Sequence, residues 1–187
     1  MVIITSFLSS IVAFLAVWAI IWRADHIFVD EQFPTIGRLR LVLFILVMAI
    51  IEEGIFRWLI LGQGHRIVGL GPAFVVSLVA FTWAHRQNGP LTFFTTINLL
   101  LVGLILGTIF WWWGFWAAVA AHFGWNATEW ISGFTISGEK TRSLLPSPRQ
   151  RKIEGYPYGP ESHWSATLVM MVCLTILLAP GMSALVR

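Results

Sequence analysis

Two adjacent carboxylates and an arginine lie inside a stretch that is otherwise apolar enough to cross a membrane. Glu52, Glu53 and Arg57 fall within residues 39–61, most of whose other side chains are Leu, Ile, Val and Phe. Each acidic or basic side chain at the centre of a membrane helix costs about 2.5 to 3.5 kcal/mol on insertion scales. The three charged groups therefore need partners inside the protein, which limits how the chain can fold.

The spacing of these residues predicts which of them are partners. Glu53 and Arg57 are four residues apart, so they share one face of an α-helix and can form an ion pair. Glu52 points about 100° away and has no such partner on its own helix. Ionisable side chains in membrane helices typically mark functional sites. The alternative for Glu53 and Arg57 is a purely structural buried ion pair.

The composition extends the membrane interpretation to the whole chain. Of 187 residues, 57% are hydrophobic and 11% are charged, which is far more apolar than a soluble domain. We predict an all-α fold, a polytopic transmembrane bundle of about six spans that forms a single integral membrane domain over residues 1–187. The predicted spans are residues 2–22, 39–61, 72–86, 91–113, 115–134 and 164–186. Residues 25–38 and 135–163 are predicted to be surface loops.

Basic residues are unevenly distributed between the predicted loops. Nine lie in the first, third and fifth loops, against two on the opposite side. Because basic loops stay in the cytoplasm, we predict that the long 135–163 loop is cytoplasmic. The expected location is the inner or plasma membrane of a prokaryote. This distribution explains the net charge of +3 without nucleic acid, which we do not expect as a partner.

Polar residues on three predicted spans fall at comparable depths, within about 8 Å at a rise of about 1.5 Å per residue. They are Glu52, His85, His122 and Asn126. A carboxylate facing an imidazole is the pairing that general acid–base catalysis uses. A single histidine on an apolar helix is more often a hydrogen-bonded core residue, so the hypothesis depends on the convergence of three spans. Glu129 lies further along the same helix face, near its end, where we expect it to be solvated.

These residues form three motifs on successive apolar helices. In chain order the motifs are Glu52-Glu53-x-x-x-Arg57, Phe81-x-x-x-His85 and His122-x-x-x-Asn126. Together they resemble the CPBP family of CAAX proteases and bacteriocin-processing enzymes, also called the Abi family, over about residues 40–130. One departure is Trp58, where family members commonly have glycine, and it concerns helix packing rather than chemistry.

The resemblance implies a glutamate-type intramembrane endopeptidase that uses neither a metal nor another cofactor. It implies roles for three pairs of residues. Glu52 and His85 activate a water molecule, His122 and Asn126 stabilise the oxyanion, and Glu53 and Arg57 give structural and electrostatic support. The implied partners are the lipid bilayer and a membrane-embedded or lipidated peptide or protein substrate.

Three other functions stay open. Glu52, His85 and His122 could form the ligand set of a zinc metalloprotease, although the sequence has no HExxH motif. Intramembrane Glu and His also form proton relays in proton-coupled transport proteins, against which the lack of a visible repeat counts. A non-catalytic membrane immunity protein or chaperone could keep the fold, against which the complete motif set counts.

Overall fold

Helices form most of the computed structural model, which describes residues 1–25, 27–31, 38–138, 150–156 and 158–179. The helices are α1 (Val2–Ala24), α2 (Arg38–Glu53), α3 (His65–Val68), α4 (Leu70–Ala84), α5 (Phe93–Trp113), α6 (Phe115–Ile131) and α7 (Trp164–Leu177). A π-helical segment, Gly54–Gln63, extends α2, and two 3-10 helices cover His85–Asn88 and Gly159–Ser162. Two short strands are β1 (Ile27–Glu31) and β2 (Gln150–Ile153).

Two of these helices, α1 and α5, are long and apolar enough to cross a membrane, and α7 is a shorter apolar helix. The predominantly helical fold confirms the predicted fold class, whereas the six-span topology stays a prediction. The predicted end of the last span, residues 180–186, lies outside the described residues.

The second predicted span changes its helical form directly after the two carboxylates. From Gly54 the turns are wider, as in the bond from the Gly64 N–H to the Leu59 carbonyl oxygen at 3.2 Å. Such π-helical turns are frequent at functional sites. The chain then breaks at Gly69, whose φ of 84° is a conformation that glycine adopts without strain. Helix α4 therefore begins at Leu70, two residues before the predicted start.

Two glycines of α5 allow α4 to lie directly against it. A Cβ atom at Gly107 would lie 2.7 Å from Phe74 Cζ, and one at Gly103 would lie 2.9 Å from Leu78 Cδ2. The absence of side chains at these positions therefore sets the separation of the two helices. Phe81, further along α4, is consequently buried together with residues of α5 and the π-helical segment.

The prediction of two surface loops is wrong for the parts that form strands or a buried helix, whereas Lys152, Glu154 and Gly155 are exposed as predicted. β1 pairs with β2 in an antiparallel ladder in which Ile27 lies opposite Ile153. All four residues of the second 3-10 helix, Gly159–Ser162, are buried. A polar, proline-containing stretch is typical of a loop, but here it folds back onto the end of the bundle where α4 ends. Residues 139–149 lie outside the described residues.

Candidate active site

Glu52 lies between two imidazole rings. Its side chain is 23% exposed, and its Oε2 atom is 3.7 Å from Nε2 of His85 and 3.8 Å from Nε2 of His122. This oxygen is buried and has no hydrogen-bond partner among the described residues. Three of the predicted site residues therefore meet at one oxygen atom. They come from α2, the first 3-10 helix and α6.

The ring of His85 is oriented by the helix that precedes it. Its Nδ1 lies 2.8 Å from the carbonyl oxygen of Phe81, one turn earlier. A carbonyl oxygen only accepts hydrogen bonds, so Nδ1 is the donor and Nε2 of the neutral ring is an acceptor. The Phe81 ring also contacts the His85 ring, with centroids 4.4 Å apart. The Phe-x-x-x-His motif thus directs Nε2 of His85 towards Glu52.

Glu53 is fully buried and has two partners through one oxygen. Its Oε1 lies 3.2 Å from Nη1 of Arg57, as the four-residue spacing predicts, and 2.8 Å from Nδ1 of His122. The second contact was not predicted. Because a carboxylate only accepts, Nδ1 of His122 donates to Glu53. Arg57 also lies over the Phe81 ring, 4.3 Å from its centroid, so this one cation contacts α2 and α4.

Asn126 lies one turn after His122 on α6 and is 7% exposed. It shares a helix face with His122, and an amide N–H at this position could donate to a ligand. With Asn126, all six predicted site residues lie in the buried interior of the bundle or at its edge, as far as the described residues extend.

The zinc hypothesis required Glu52, His85 and His122 as ligands. Within the described ranges, no group of three or more His, Cys, Asp and Glu side chains is arranged to hold a metal ion.

Two further buried carboxylates lie beside the site. Glu129 is 0% exposed, so the expectation that it is solvated is wrong. Glu161, in the second 3-10 helix, is 5% exposed and accepts hydrogen bonds from the hydroxyl and the N–H of Ser137. Ser137 has a φ of 51°, which is uncommon for a residue other than glycine. Burial, with a smaller repulsion from Glu52, raises the pKa of Glu161 to about 7.

A Ser, His and Asp set joins the end of α1 to the start of α7. Nε2 of His163 lies 2.8 Å from Oδ2 of Asp25, and its Nδ1 lies 2.6 Å from Oγ of Ser165. The Ser165 N–H also donates to this Nδ1, so His163 caps α7. Both His163 and Ser165 are 0% exposed, which makes the set a structural connection and not an accessible nucleophile. Sequence reasoning missed it because Asp25 and His163 are 138 residues apart.

A carboxylate between two imidazoles, inside a bundle of apolar helices, is an arrangement that general acid–base catalysis in a membrane protein can use. The family model described as "type II CAAX prenyl endopeptidase Rce1-like" matches residues 34–128, which is just over half of the chain and includes all six predicted site residues. The chain therefore belongs to this family, and the predicted relationship to CAAX proteases is confirmed. The family consists of membrane-integral proteases that act on prenylated, membrane-associated proteins. No curated protein and no solved structure matches the chain.

The raised pKa of Glu161 predicts how stability depends on pH. The carboxyl group has a pKa of about 7 in the folded protein and 4.5 in the unfolded chain. Its contribution to the free energy of unfolding is therefore complete below pH 4.5 and is lost as the pH rises through 7. The loss amounts to about 3 kcal/mol, at about 1.4 kcal/mol per pKa unit. The melting temperature in detergent should therefore fall from pH 4.5 to 7.5 in the wild type, and this fall should be smaller in Glu161→Gln. Glu154→Gln, at an exposed position of the same segment, should follow the wild type. An equal slope in Glu161→Gln and the wild type would contradict the prediction.

Proposed function

We propose that the chain is a metal-independent, glutamate-type intramembrane endopeptidase that cleaves a prenylated or otherwise membrane-tethered C-terminal segment. The observation that supports this most is the distance of 3.7 Å between Oε2 of Glu52 and Nε2 of His85. Both atoms are acceptors when Glu52 is ionised and His85 is neutral. A water molecule can donate one hydrogen to each of them, which would orient its oxygen for attack.

In the proposed reaction, the oxygen of this water attacks the carbonyl carbon of the scissile peptide bond while Glu52 takes up one of its protons. The resulting tetrahedral intermediate has a negatively charged oxygen. The amide of Asn126 and, when the His122 ring carries a proton on both nitrogens, Nε2 of His122 would stabilise this charge as donors. The C–N bond then breaks, and the proton held by Glu52 passes to the leaving nitrogen. The products are a carboxylic acid and an amine, the acid's remaining proton passes to the amine to give a carboxylate and an ammonium group, and Glu52 is ionised again.

Glu53 and Arg57 have a supporting role in this proposal. Glu53 accepts a hydrogen bond from Nδ1 of His122 at 2.8 Å, so it fixes the ring whose other nitrogen faces the substrate. Nη1 of Arg57, 3.2 Å from Glu53, compensates the charge of this buried carboxylate. Contacts support this division: Oε1 of Glu53 already has two partners, whereas Oε2 of Glu52 faces two imidazole nitrogens but makes no hydrogen bond among the described residues.

The two glutamates should therefore respond differently to substitution. Glu52→Gln removes the base but keeps the shape, so single-turnover cleavage of a farnesylated CAAX peptide in liposomes should be abolished while thermal stability stays close to that of the wild type. Glu53→Gln leaves Arg57 without its counterion and should destabilise the fold by about 3 to 5 kcal/mol. Glu154→Gln serves as the exposed control. A Glu52→Gln variant with near-normal turnover, beside a stable but inactive Glu53→Gln variant, would reverse the proposed roles.

Activity should not depend on a divalent metal ion. The purified protein is assayed on the same peptide before and after dialysis against a strong chelator, and the expected rates are equal. Loss of activity that added zinc restores would instead support the zinc metalloprotease, in which Glu52, His85 and His122 are ligands.

We also propose that the chain is one domain of six spans in a prokaryotic inner or plasma membrane, with the 135–163 loop in the cytoplasm. The pairing of β1 with β2 brings the first and fifth loops together on one side of the bundle, and the fifth loop carries five basic residues. In a Cys173→Ala background, a cysteine introduced at Ser147 should react with an impermeant thiol reagent only after the cells are permeabilised. A cysteine at Ile67, which is exposed at the other end of the bundle, should react in intact cells. The reverse pattern would contradict this orientation.

A further inference from the structure

Tyr158 connects the buried 158–163 segment to the backbone of a predicted catalytic residue. Its side chain is 0% exposed, and its hydroxyl donates to the carbonyl oxygen of His85 at 3.0 Å. The same hydroxyl forms a hydrogen bond with the side chain of Asn88. His85 and Asn88 are the first and last residues of the first 3-10 helix. Tyr158 therefore contacts this helix at both ends, although it lies outside the residues that match the family model.

We propose that Tyr158 is a positioning residue for His85, fixing the backbone of the His85–Asn88 helix so that Nε2 of His85 faces Glu52. This inference rests on the proposed function, in which His85 orients the attacking water. It assigns a part in the reaction to a segment that the three sequence motifs do not include.

The His85 backbone needs such a contact because helix α4 ends one residue earlier, at Ala84. The bond from Nδ1 of His85 to the Phe81 carbonyl fixes the rotation of the ring, but it does not fix the short 3-10 helix. Carbonyl groups at the end of a helix lack partners within the helix and need one from elsewhere. A displacement of about 1 Å at a catalytic group can lower a rate by about 100-fold.

Tyr158 is itself held firmly. One edge of its ring lies against two glycines: a Cβ atom at Gly138 would lie 2.9 Å from ring atom Cε2, and one at Gly89 would lie 3.3 Å from Cδ2. The ring therefore fills a gap that only glycines leave open. Burial raises the pKa of Tyr158 above its ordinary value, so its hydroxyl stays protonated and remains a donor.

The rest of the 158–163 segment is attached to two other helices. Nδ2 of Asn98, on α5, donates to the carbonyl oxygens of Glu161 and His163 at 2.9 and 3.0 Å. His163 in turn binds Asp25 at the end of α1. The contacts with α1 and α5 therefore fix the segment that carries the Tyr158 hydroxyl, and this hydroxyl in turn fixes the backbone of His85.

The test compares two conservative variants, one at the start of the 158–163 segment and one two residues before it. Tyr158→Phe keeps the ring and removes only the hydroxyl, and kcat for the farnesylated CAAX peptide in liposomes should fall about 5- to 50-fold with KM unchanged. Tyr156→Phe is the matched control, because the Tyr156 ring contacts His163, at 4.5 Å between centroids, and not His85. Its kcat and KM should stay within about twofold of the wild type.

A second readout does not require activity. The imidazole nitrogens of the five histidines are observed by NMR in detergent micelles, with His85 assigned from a His85→Gln sample. Tyr158→Phe should shift the His85 resonances and leave those of His65 unchanged, whereas Tyr156→Phe should leave both unchanged. If Tyr158→Phe does not fold, Asn88→Ala replaces it, and the same shift with a lower kcat is expected.

The following results would overturn the proposal: unchanged His85 resonances in the variant, a kcat within about twofold of the wild type, or a rise in KM without a fall in kcat. An equal fall in kcat in Tyr156→Phe would also overturn the proposal, since the loss would then not depend on the contact between Tyr158 and His85. If the wild type itself does not cleave the peptide, the proposed function fails, and the His85 resonances alone then decide whether Tyr158 positions the ring.

Discussion

Compensation of the Glu53 charge is the interaction on which the site depends. Ionised carboxylates cost several kcal/mol to bury unless they are paired and hydrogen-bonded. Arg57 supplies a charge from the same helix, and His122 supplies a donor from α6. The bond from His122 to Oε1 of Glu53 therefore also joins α2 to α6 and turns Nε2 of His122 towards Glu52. A requirement of burial thus determines the orientation of a predicted catalytic ring.

Close packing of α4 against α5 orients the other imidazole. The two glycines of α5 let Phe74 and Leu78 approach its backbone, and Phe81 on the next turn of α4 lies beneath Arg57. A Cβ atom at Gly103 would also lie 3.9 Å from Nη2 of Arg57. Apolar packing and charge compensation therefore meet at the same guanidinium group.

Spacing within helices made part of this site predictable. The four-residue interval gave the Glu53–Arg57 pair, and the constant helical rise brought Glu52, His85 and His122 to one depth. The other contacts join residues that are far apart in sequence, such as His85 with Tyr158 at 73 positions and Asn98 with His163 at 65. Local patterns contain no signal for such contacts. β1 and β2, of five and four residues, are likewise too short to show a strand period.

The two imidazoles face the same oxygen of Glu52 but differ in what holds their Nδ1 atoms. The partner of His85 is a neutral backbone carbonyl, which fixes the tautomer with Nε2 unprotonated and suits this nitrogen to accept a hydrogen from water. In His122, Nδ1 faces the carboxylate of Glu53 and Nε2 faces the carboxylate of Glu52. A His122 ring with a proton on each nitrogen therefore lies between two negative charges. This environment suits His122 to donate to an oxyanion. The different partners of the two Nδ1 atoms therefore support a division of roles between rings that are chemically the same.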